Sequence, residues 1–508
     1  MKSFLLCITI FISACSSEGV KYELFNEDFC SQIDRHEFLP LSKELEIVED
    51  SLNTMTGVHV LEEGDMSMVY RAWLSESAEK SIDIQYFIFS ADNIGLIAID
   101  YLIRAADRGV KVRMIVDDIM VEADSEDLLA LDAHPNVSIK IYNPTANIGK
   151  SLPQKLYSLT IDFRGFNSRM HNKTFIVDEQ AVITGGRNIA DEYFDYDHEY
   201  NFRDRDVLLM GADVKQVSTS FLQFWESTLS VPIGDLASEM STTLSPEQIY
   251  EYLNQYACNP ANFWPEIREK ISRVPEMFHG TLKSGEFRWQ KHISYVSDMP
   301  TKNDQDTGLS GGGLSTDSLI ALIDSAKKSI YIQSPYLVTT ELSQELFRRA
   351  IARGVVIKIL TNSLISTDNL EAFSGYQRER ETLLEIGIEL FEFRPDAAVR
   401  LKIMTGALQR KLHHRPKFGL HAKSMVVDGE VAVIGTFNLD PRSANLNTEC
   451  IAIIRDEIVA SKLLATMEEE IQPDNAWKTT FNSNPDAEAS FAKRFQSWTR
   501  NVVPKSIL

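Results

Sequence analysis

The sequence predicts an α/β protein with two pseudo-symmetric lobes, each a mixed β-sheet flanked by helices. Three observations lead to this fold class. The chain has 508 residues and is 44% apolar, which is enough for a large buried core. Its two halves share a repeated sequence. After each copy of the repeat, the hydrophobic pattern indicates a strand, a helix and a second strand.

The repeat begins at Ala78 in the first half and at Ala326 in the second. Residues 78–85 read Ala-Glu-Lys-Ser-Ile-Asp-Ile-Gln, and residues 326–333 read Ala-Lys-Lys-Ser-Ile-Tyr-Ile-Gln. Each copy ends a helical stretch and enters a β-branched pattern that predicts a strand. An amphipathic helix follows, ending at Arg108-Gly109 or at Arg353-Gly354, where glycine suits the left-handed cap position. Apolar strands then begin at positions 110 and 355.

We expect five segments along the chain. They are a signal-like segment with a lipidation cysteine (1–15), an N-terminal segment (16–60), a first lobe (61–212), a helical insert with a glycine-rich linker (213–318) and a second lobe (319–500). The linker contains Gly311-Gly312-Gly313 and is typical of a flexible surface loop.

The first residues are typical of a targeting segment. Lys2 is followed by an apolar run at positions 4–12, and Ser13 and Ala14 lead directly into Cys15. This resembles a bacterial lipoprotein signal, which is cut before the cysteine that becomes acylated. The alternatives are an ordinary secretory signal or a short uncleaved anchor, although the run is short for a bilayer span. We therefore expect a lipid-anchored protein of the bacterial cell envelope that faces the periplasm.

Charge and cysteine content limit the classes of function that the sequence allows. The 51 Lys and Arg against 73 Asp and Glu give a net charge of -22, which suits long nucleic acid poorly but still permits a small phosphate pocket. The cysteine spacing matches no zinc site, and the sequence predicts no metal and no cofactor. In an exported protein we expect a Cys30–Cys258 disulfide, because Cys450 lies within an apolar strand.

A His-x-Lys-x-x-x-x-Asp motif occurs twice, with its histidines 250 residues apart. Its residues are His171, Lys173 and Asp178 in the first half, and His421, Lys423 and Asp428 in the second. Each run is β-prone, so the histidine and the lysine should project from the same face of a strand. The aspartates have the opposite parity and lie where a turn is expected, which indicates a structural role.

Each motif is followed by a Gly-x-x-Asn sequence that ends at Asn188 or at Asn438. Small residues let a phosphate approach the backbone, and an asparagine amide can donate to its oxygens. A single histidine in a strand is more often structural, and a single lysine is usually just solvated. Two copies with identical spacing, each followed by the same Gly-x-x-Asn, favour a chemical role.

The paired motifs resemble the phospholipase D superfamily, and their surroundings are similar to bacterial cardiolipin synthases. The similar segments are Arg-Met-His-Asn-Lys at 169–173, Phe-Arg-Asp at 202–204, Asn-Leu-Asp-Pro-Arg-Ser at 438–443 and Asn-Thr-Glu at 447–449. The likeness extends over residues 57–456 or so and implies that the two lobes share one active site at their interface.

The resemblance also implies a role for each site residue. His171 would be the nucleophile that forms a phosphohistidine, and His421 would be the general acid and base. Lys173 and Lys423 would neutralise the phosphate, and Asn188 and Asn438 would add donors to it. The carboxylates that hold the two imidazoles would be Asp204 and Glu449, with Asp206 as a rival for Asp204.

The implied reaction is transfer of a phosphatidyl group from phosphatidylglycerol or a similar phospholipid to an alcohol at a membrane. With water as the acceptor, the product would be phosphatidic acid. A nuclease of the same superfamily is the alternative, but the net charge and the signal argue against it. Intact polar residues argue against a non-catalytic binding protein. One further stretch either meets anionic headgroups or is a solvated loop. It comprises Arg410, Lys411, His413, His414, Arg415 and Lys417.

Overall fold

The computed structural model describes residues 27–33, 35–120, 125–145, 167–236, 245–300, 302, 311–403 and 416–508. The signal-like segment with Cys15 and positions 410–415 of the basic stretch lie outside the described residues, as does most of the stretch 301–310.

The described chain forms strands and helices throughout. The strands are β1 Thr56–Leu61, β2 Ser81–Tyr86, β3 Lys111–Asp117, β4 Val137–Tyr142, β5 Thr174–Val177, β6 Ala181–Gly185, β7 Tyr200–Arg203, β8 Asp206–Gly211, β9 Ser230–Pro232, β10 Arg288–Gln290, β11 Ser294–Ser297, β12 Ser329–Gln333, β13 Val356–Asn362, β14 Glu389–Phe393, β15 Lys417–Leu420, β16 Ser424–Val427, β17 Val431–Gly435, β18 Cys450–Ile454 and β19 Ala476–Thr479. The α-helices are α1 Leu41–Glu44, α2 Glu49–Leu52, α3 Gly64–Ser77, α4 Asn93–Asp107, α5 Ser125–Asp132, α6 Val214–Trp225, α7 Ile233–Leu236, α8 Pro246–Cys258, α9 Pro265–Ser272, α10 Val274–Ser284, α11 Leu314–Ser325, α12 Glu341–Ala352, α13 Leu370–Ile386, α14 Arg400–Ile403, α15 Pro441–Asn445, α16 Glu457–Glu470 and α17 Phe491–Thr499.

Two mixed sheets confirm the predicted fold class. The first has the order β10-β1-β8-β6-β5-β2-β3-β4-β9, and the second has the order β11-β18-β17-β16-β12-β13-β14-β19. In both sheets three neighbouring strands are parallel, β2-β3-β4 and β12-β13-β14, and the remaining pairs are antiparallel. The order β8-β6-β5-β2-β3-β4 of the first sheet therefore returns as β18-β17-β16-β12-β13-β14 in the second, so the sequence repeat is a structural repeat.

The repeated βαβ units form where the pattern predicts them. Helices α4 and α12 end just before Gly109 and Gly354, which have φ values of 96° and 88°. These left-handed values are easy for glycine, which has no Cβ, and they turn each chain into its next parallel strand. The predicted strands after the glycines are β3 and β13.

The region 213–318 is less purely helical than its sequence suggests. Strands β9 and β10 extend the first sheet, and β11 pairs with β18 at the edge of the second. These strands have only three or four residues, too few for an alternating pattern to stand out. They give hydrogen-bond partners to backbone groups at the sheet edges.

Further contacts join the N-terminal segment to the helical insert and the two lobes to each other. A disulfide joins Cys30 to Cys258 at the end of α8, as the sequence predicts, and among the described cysteines Cys450 is a buried free thiol. One apolar core cluster contains α6 residues such as Phe221 together with Ile454 of β18, so the lobes share buried surface. Within the described ranges, no helix has the length and apolarity needed to cross a bilayer.

Candidate active site

The two motif segments lie immediately before β5 and β16, not within the strands where the sequence places them. Their backbones pair with the opposite lobe instead. The His171 N–H donates to the carbonyl of Thr448 at 2.9 Å, and the His421 N–H donates to the carbonyl of Arg203 at 2.8 Å. Each motif thus leaves its own sheet at the histidine and joins the other lobe.

This pairing between the lobes brings a carboxylate to each histidine. Strand β15 runs parallel to β7, with Leu420 opposite Arg203, and a similar bridge joins Met170 to Thr448. Asp204 follows Arg203 in the chain, and Glu449 follows Thr448. Each carboxylate therefore serves the histidine of the other lobe.

The resulting geometry is the same at both histidines. His171 Nδ1 lies 2.9 Å from Glu449 Oε2, and His421 Nδ1 lies 2.5 Å from Asp204 Oδ2. A carboxylate at Nδ1 holds the N–H on that nitrogen and leaves Nε2 free to act on a substrate. The hydroxyl of Thr436 also donates to Glu449. Burial opposes charge on Asp204 and Glu449, but the neighbouring imidazoles lower the pKa of both carboxyls below the usual value.

The two lysines hold equivalent places. Lys173 Nζ donates to the carbonyl of His171 at 2.8 Å, and Lys423 Nζ donates to the carbonyl of His421 at 2.6 Å. Lys423 Nζ also lies 2.9 and 3.1 Å from the two ring nitrogens of His421. Each ammonium group is thus fixed beside its own histidine.

The charges of one motif act on the pKa values of the other, as expected for two motifs in one site. Burial, and then the nearby Lys423, lower the pKa of Lys173 to about 7, and burial lowers that of Lys423 to about 8. Burial lowers the pKa of His171 to about 4, and burial with the Lys423 charge lowers that of His421 to about 3. Two buried cations that repel each other make a site that gains by binding an anion.

Aromatic rings that the sequence reading missed surround the histidines. The Phe87 ring is 5.0 Å from that of His171, and Lys173 Nζ lies 5.6 Å from the centre of the same ring. Tyr193 and Phe202 lie 5.1 and 4.7 Å from the ring of His421. Phe87 follows the repeated strand at its carboxyl end, where ligands of parallel strands gather, so its position was a usable signal.

The asparagines of the two Gly-x-x-Asn sequences differ in their hydrogen bonds. Asn188 donates its amide to the Tyr193 hydroxyl at 2.8 Å and accepts from the Ile88 N–H at 3.0 Å. Asn438 Oδ1 is buried and has no partner among the described residues. Contact of these side chains with a phosphate stays a prediction.

The small residues of the Gly-x-x-Asn sequences lie where a larger side chain would not fit. A Cβ on Gly186 would lie 2.0 Å from Asp204 Oδ1, and a Cβ on Gly435 would lie 2.2 Å from the Cys450 carbonyl. These positions allow the carboxylate-bearing segments to pack closely beside β6 and β17. Approach of a phosphate to their backbone stays a prediction.

The motif aspartates lie at the turns and bind backbone. Asp178 accepts from the N–H groups of Glu79, Lys80 and Ser81 at 2.7–2.9 Å. Asp428 makes the corresponding contacts with the N–H groups at 327–329. Both contact sets tie the motif's hairpin to the start of the repeated strand. A structural role for the two aspartates stays a prediction, which the Asp178→Asn variant tests.

Asp206, the rival for Asp204, lies apart from both histidines. It accepts from the Ser67 hydroxyl at 2.6 Å and from Arg71 at 3.0 Å, inside the first lobe.

Comparison with known proteins agrees with this geometry. The family described as "Cardiolipin synthase, PLD-like domain" matches residues 74–225 and 319–471, more than half of the chain. Cardiolipin synthase C of Escherichia coli (strain K12) is 33% identical over 438 residues, covering 83% of this chain and 86% of that protein. An uncharacterized protein of Helicobacter pylori (strain J99) is 32% identical over 421 residues, covering 81% of this chain and 79% of that one. The crystal structure of phosphatidylserine synthase from Haemophilus influenzae Rd KW20 has a similar fold, with a TM-score of 0.58 at 15% identity over 92% of this chain and 100% of that one.

Proposed function

This chain belongs to the cardiolipin synthase family with phospholipase D-like domains, and we propose that it transfers a phosphatidyl group from one phospholipid to an alcohol. The donor would be phosphatidylglycerol or a similar lipid, and the product would be cardiolipin or a related lipid. The observation that carries the proposal is the exchange of carboxylates between lobes. It places a carboxylate at Nδ1 of both imidazoles, so that Nε2 is the nitrogen left to face a substrate, beside two buried lysines.

In the first step, Nε2 of His171 attacks phosphorus while Lys173 and Lys423 balance the charge on its oxygens. A P–N bond forms and the bond from phosphorus to the headgroup oxygen breaks. His421 gives its Nε2 proton to that oxygen, so the headgroup leaves as a neutral alcohol. The negative phosphate and Asp204 both favour the protonated ring of His421, against the effect of the lysines.

In the second step, the acceptor alcohol gives its proton to His421 and its oxygen attacks phosphorus. The P–N bond breaks, and His171 returns to its starting state. With phosphatidylglycerol as both donor and acceptor, the products are cardiolipin and glycerol. Water in place of the alcohol gives phosphatidic acid by the same steps.

Lipid mass spectrometry tests the proposal directly. We would express the full chain in cells that lack their own cardiolipin synthases, with His171→Ala as the inactive control. We expect cardiolipin or a related two-phosphate lipid to appear with the wild type alone. Phosphatidic acid without such a lipid would identify a hydrolase, and an unchanged lipid profile would contradict action on phospholipids.

A place in the bacterial cell envelope fits this function. The signal-like segment and the Cys30–Cys258 disulfide, a bond typical of oxidising compartments, support it. We expect the mature chain to begin at an acylated Cys15 and to stay with the membrane fraction, because several acyl chains bind stably. Mass spectrometry of the N-terminal peptide checks this, with Cys15→Ala as the unlipidated control. Wild-type protein with an unmodified Cys15 would contradict it.

A further inference from the structure

The second lobe contains a cavity of about 510 Å³ between helices α11 and α12 and the sheet. We call it the acyl cavity, for the ligand proposed below. Its volume falls in the range of roughly 300 to 1,000 Å³ that is usual for small-molecule sites. Its lining is mainly apolar, and Lys423 of the second motif also belongs to it. The apolar lining includes Leu319, Ile320, Ile323, Leu346, Val433 and Phe437.

The structural repeat gives this cavity a counterpart in the first lobe. The repeat aligns Ala78 with Ala326, and thus α3 with α11. Strand pairing sets Asp206 opposite Gly185 and Ile451 opposite Gly435, so Asp206 and Ile451 are also equivalent. At the equivalent place between α3, α4 and the first sheet, the cavity has only about 50 Å³.

Side chains fill the first lobe where the second is open. Arg71 donates to the Tyr86 hydroxyl at 3.1 Å and to Asp206 at 3.0 Å, and its guanidinium lies 5.7 Å from the centre of the Phe194 ring. Their counterparts are smaller, uncharged or both, and all four of them line the acyl cavity: Leu319 for Arg71, Ser334 for Tyr86, Ile451 for Asp206 and Ala444 for Phe194. Ala444 is matched with Phe194 because each lies six residues after the asparagine of its Gly-x-x-Asn sequence.

An apolar space of this size calls for an apolar occupant. Unfilled volume costs stability, because the lining loses contacts that a packed core would make. Side chains fill this space in the first lobe but leave it open in the second, and the open cavity includes Lys423 of the second motif. Leu342 of α12 lines the cavity and is 55% exposed, so an apolar rim connects it with the exterior.

We propose that the acyl cavity receives one acyl chain of the phospholipid whose phosphate is bound at Lys423. The inference rests on the proposed function for the identity of the ligand. It assigns the two lobes unequal roles: both supply catalytic groups, but this acyl chain lies in the second lobe.

Photolabelling of the full chain tests this without turnover. The probe is phosphatidylglycerol with a diazirine at the end of one acyl chain, in detergent micelles. We expect cross-links in peptides from α11 and α12. Ala444→Phe, which restores the ring of the first lobe, should lower this labelling at least about tenfold by filling the space. Leu319→Trp does the same from α11, should Ala444→Phe disturb folding. Ala321→Phe is the matched control, because Ala321 is exposed on the same helix.

The outcomes separate the inference from the proposed function. Cross-links on α3 or α4, or labelling that survives both filling variants, would overturn the acyl cavity even if the enzyme makes cardiolipin. Labelling of α11 and α12 that the filling variants abolish would support the cavity even if lipid analysis found no phosphatidyl transfer.

A second inference comes from the far end of the chain. Helix α17 carries an aromatic stripe of Phe491, Phe495 and Trp498, which are 76%, 53% and 65% exposed. The rings stack at 6.4 and 5.8 Å between centres. Three large exposed rings on one helical face form a patch of the kind that binds another surface.

Charge and position indicate which surface this is. Residues 491–508 contain four cations and no acidic side chain, and two of these cations pair with carboxylates outside the stretch, Arg500 with Glu371 and Lys505 with Glu379. Lys493 of the helix donates to the carbonyls of Ile365 and Thr367, both at 3.0 Å. The next residue, Asp368, accepts from the hydroxyl of Tyr336, whose ring lies 6.5 Å from that of His421. The helix that carries the stripe is therefore connected to the active site through Lys493, residues 367–368 and Tyr336.

We infer that the aromatic stripe inserts into an anionic lipid surface next to the active site. Phenylalanine, tryptophan and the exposed Arg494 between them suit the interface of such a membrane. Quenching of tryptophan fluorescence by brominated phosphatidylcholine, in vesicles that also contain phosphatidylglycerol, measures the insertion. We expect quenching in the wild type, its loss in Trp498→Phe and its retention in Trp477→Phe. Equal quenching in the wild type and Trp498→Phe would overturn the inference.

Discussion

At the scale of single residues, the site depends on two carboxylates that set the state of two imidazoles. Glu449 and Asp204 hold Nδ1 of His171 and of His421, and both are buried. A carboxylate in this place fixes the tautomer and stabilises the imidazolium form. Because each belongs to the other lobe, a substitution in one lobe should change the chemistry of the histidine in the other.

This exchange can be tested by trapping the covalent intermediate. With a substrate whose leaving group needs no proton, Glu449→Gln should slow formation of the adduct on His171 by about 10² to 10⁴-fold. Asp204→Asn should still form the adduct but release it slowly, because only His421 is affected. His171→Ala should form none, whereas His421→Ala should accumulate it. Acid-free quenching and mass spectrometry measure the adduct. The reverse pattern, with the adduct on His421, would exchange the two roles.

The lysines predict how the reaction depends on pH. The pKa of Lys173 is about 7 and that of Lys423 about 8 in the free protein, and a lysine is charged only below its pKa. We therefore expect kcat/KM, which reports on the free enzyme, to fall as pH rises through 7 to 8. The value of kcat should fall less, because a bound phosphate raises the pKa of both lysines. Steady-state rates from pH 5 to 10 check this, with thermal melts to exclude unfolding, and a flat kcat/KM would contradict it.

At the scale of elements, each motif has two parts: a histidine–lysine segment at the candidate active site, and an aspartate that binds backbone at a turn. The histidines pair with the other lobe, whereas Asp178 returns to its own lobe and binds three N–H groups at the start of β2. Asp178 also has a φ of 54°, the left-handed region that aspartate and asparagine tolerate better than most residues. The hairpin is thereby fixed to β2, the strand beside it. The position of His171 relative to β2 is fixed as well, because the histidine lies just before the hairpin.

Asp178→Asn should lower stability and leave the reaction nearly intact. The amide keeps the size and the backbone preference of the aspartate but has one acceptor oxygen and no charge, so we expect a loss of about 1–3 kcal/mol in the free energy of unfolding. Urea denaturation gives this value. Glu179→Gln is the control, because the neighbouring Glu179 is exposed and also has a positive φ. A large fall in kcat with unchanged stability would contradict a structural role.

Some elements were predictable and others were not, for physical reasons. The repeated sequence predicts β2, β12 and the helices after them because their apolar period is long enough to read. A turn at Asp428 was predictable because Asp428-Gly429 at a strand end is a strong turn pattern, and Asp178 has the same place in the first motif. Strands β9 to β11 were not predictable. They have only three or four residues each, and they become strands by pairing with the edges of sheets that the rest of the chain forms.

For the whole molecule, the main fact hidden from the sequence is which lobe supplies each group. The motifs predict one shared site, but spacing within the chain contains no information on contacts between lobes. The unequal cavities are hidden for the same reason: Leu319 and Ser334 are ordinary residues until the fold places them where Arg71 and Tyr86 lie in the first lobe. The exchange of carboxylates arises from the way that the two repeats pack, whereas the unequal cavities arise from residue differences inside each repeat that matter only once the repeat is folded.

A buried polar network at the lobe interface holds that packing in register. Arg203 pairs with Glu470 of α16 and with Glu62, and Gln333 also donates to Glu470. Arg205 donates to Gln333 and to the hydroxyl of Ser424, both at 2.8 Å. The two arginines and Glu470 are almost completely shielded from solvent. Because Arg203 immediately precedes Asp204, this network also positions the carboxylate at His421.

Removing Arg203 alone should lower the free energy of unfolding far more than removing both Arg203 and Glu470. Arg203→Met should lower the free energy of unfolding by about 3–5 kcal/mol, because it leaves the charge of Glu470 buried without its partner. Arg203→Met with Glu470→Leu should recover much of that loss, since two apolar side chains replace the ion pair. Urea unfolding of the single and double variants measures the coupling. Lys402→Met is the control, because its pair with the adjacent Glu469 is exposed and should be worth less than about 1 kcal/mol. Losses that simply add would mean that the buried pair does not act as a unit, and that the lobes are held mainly by their shared apolar core.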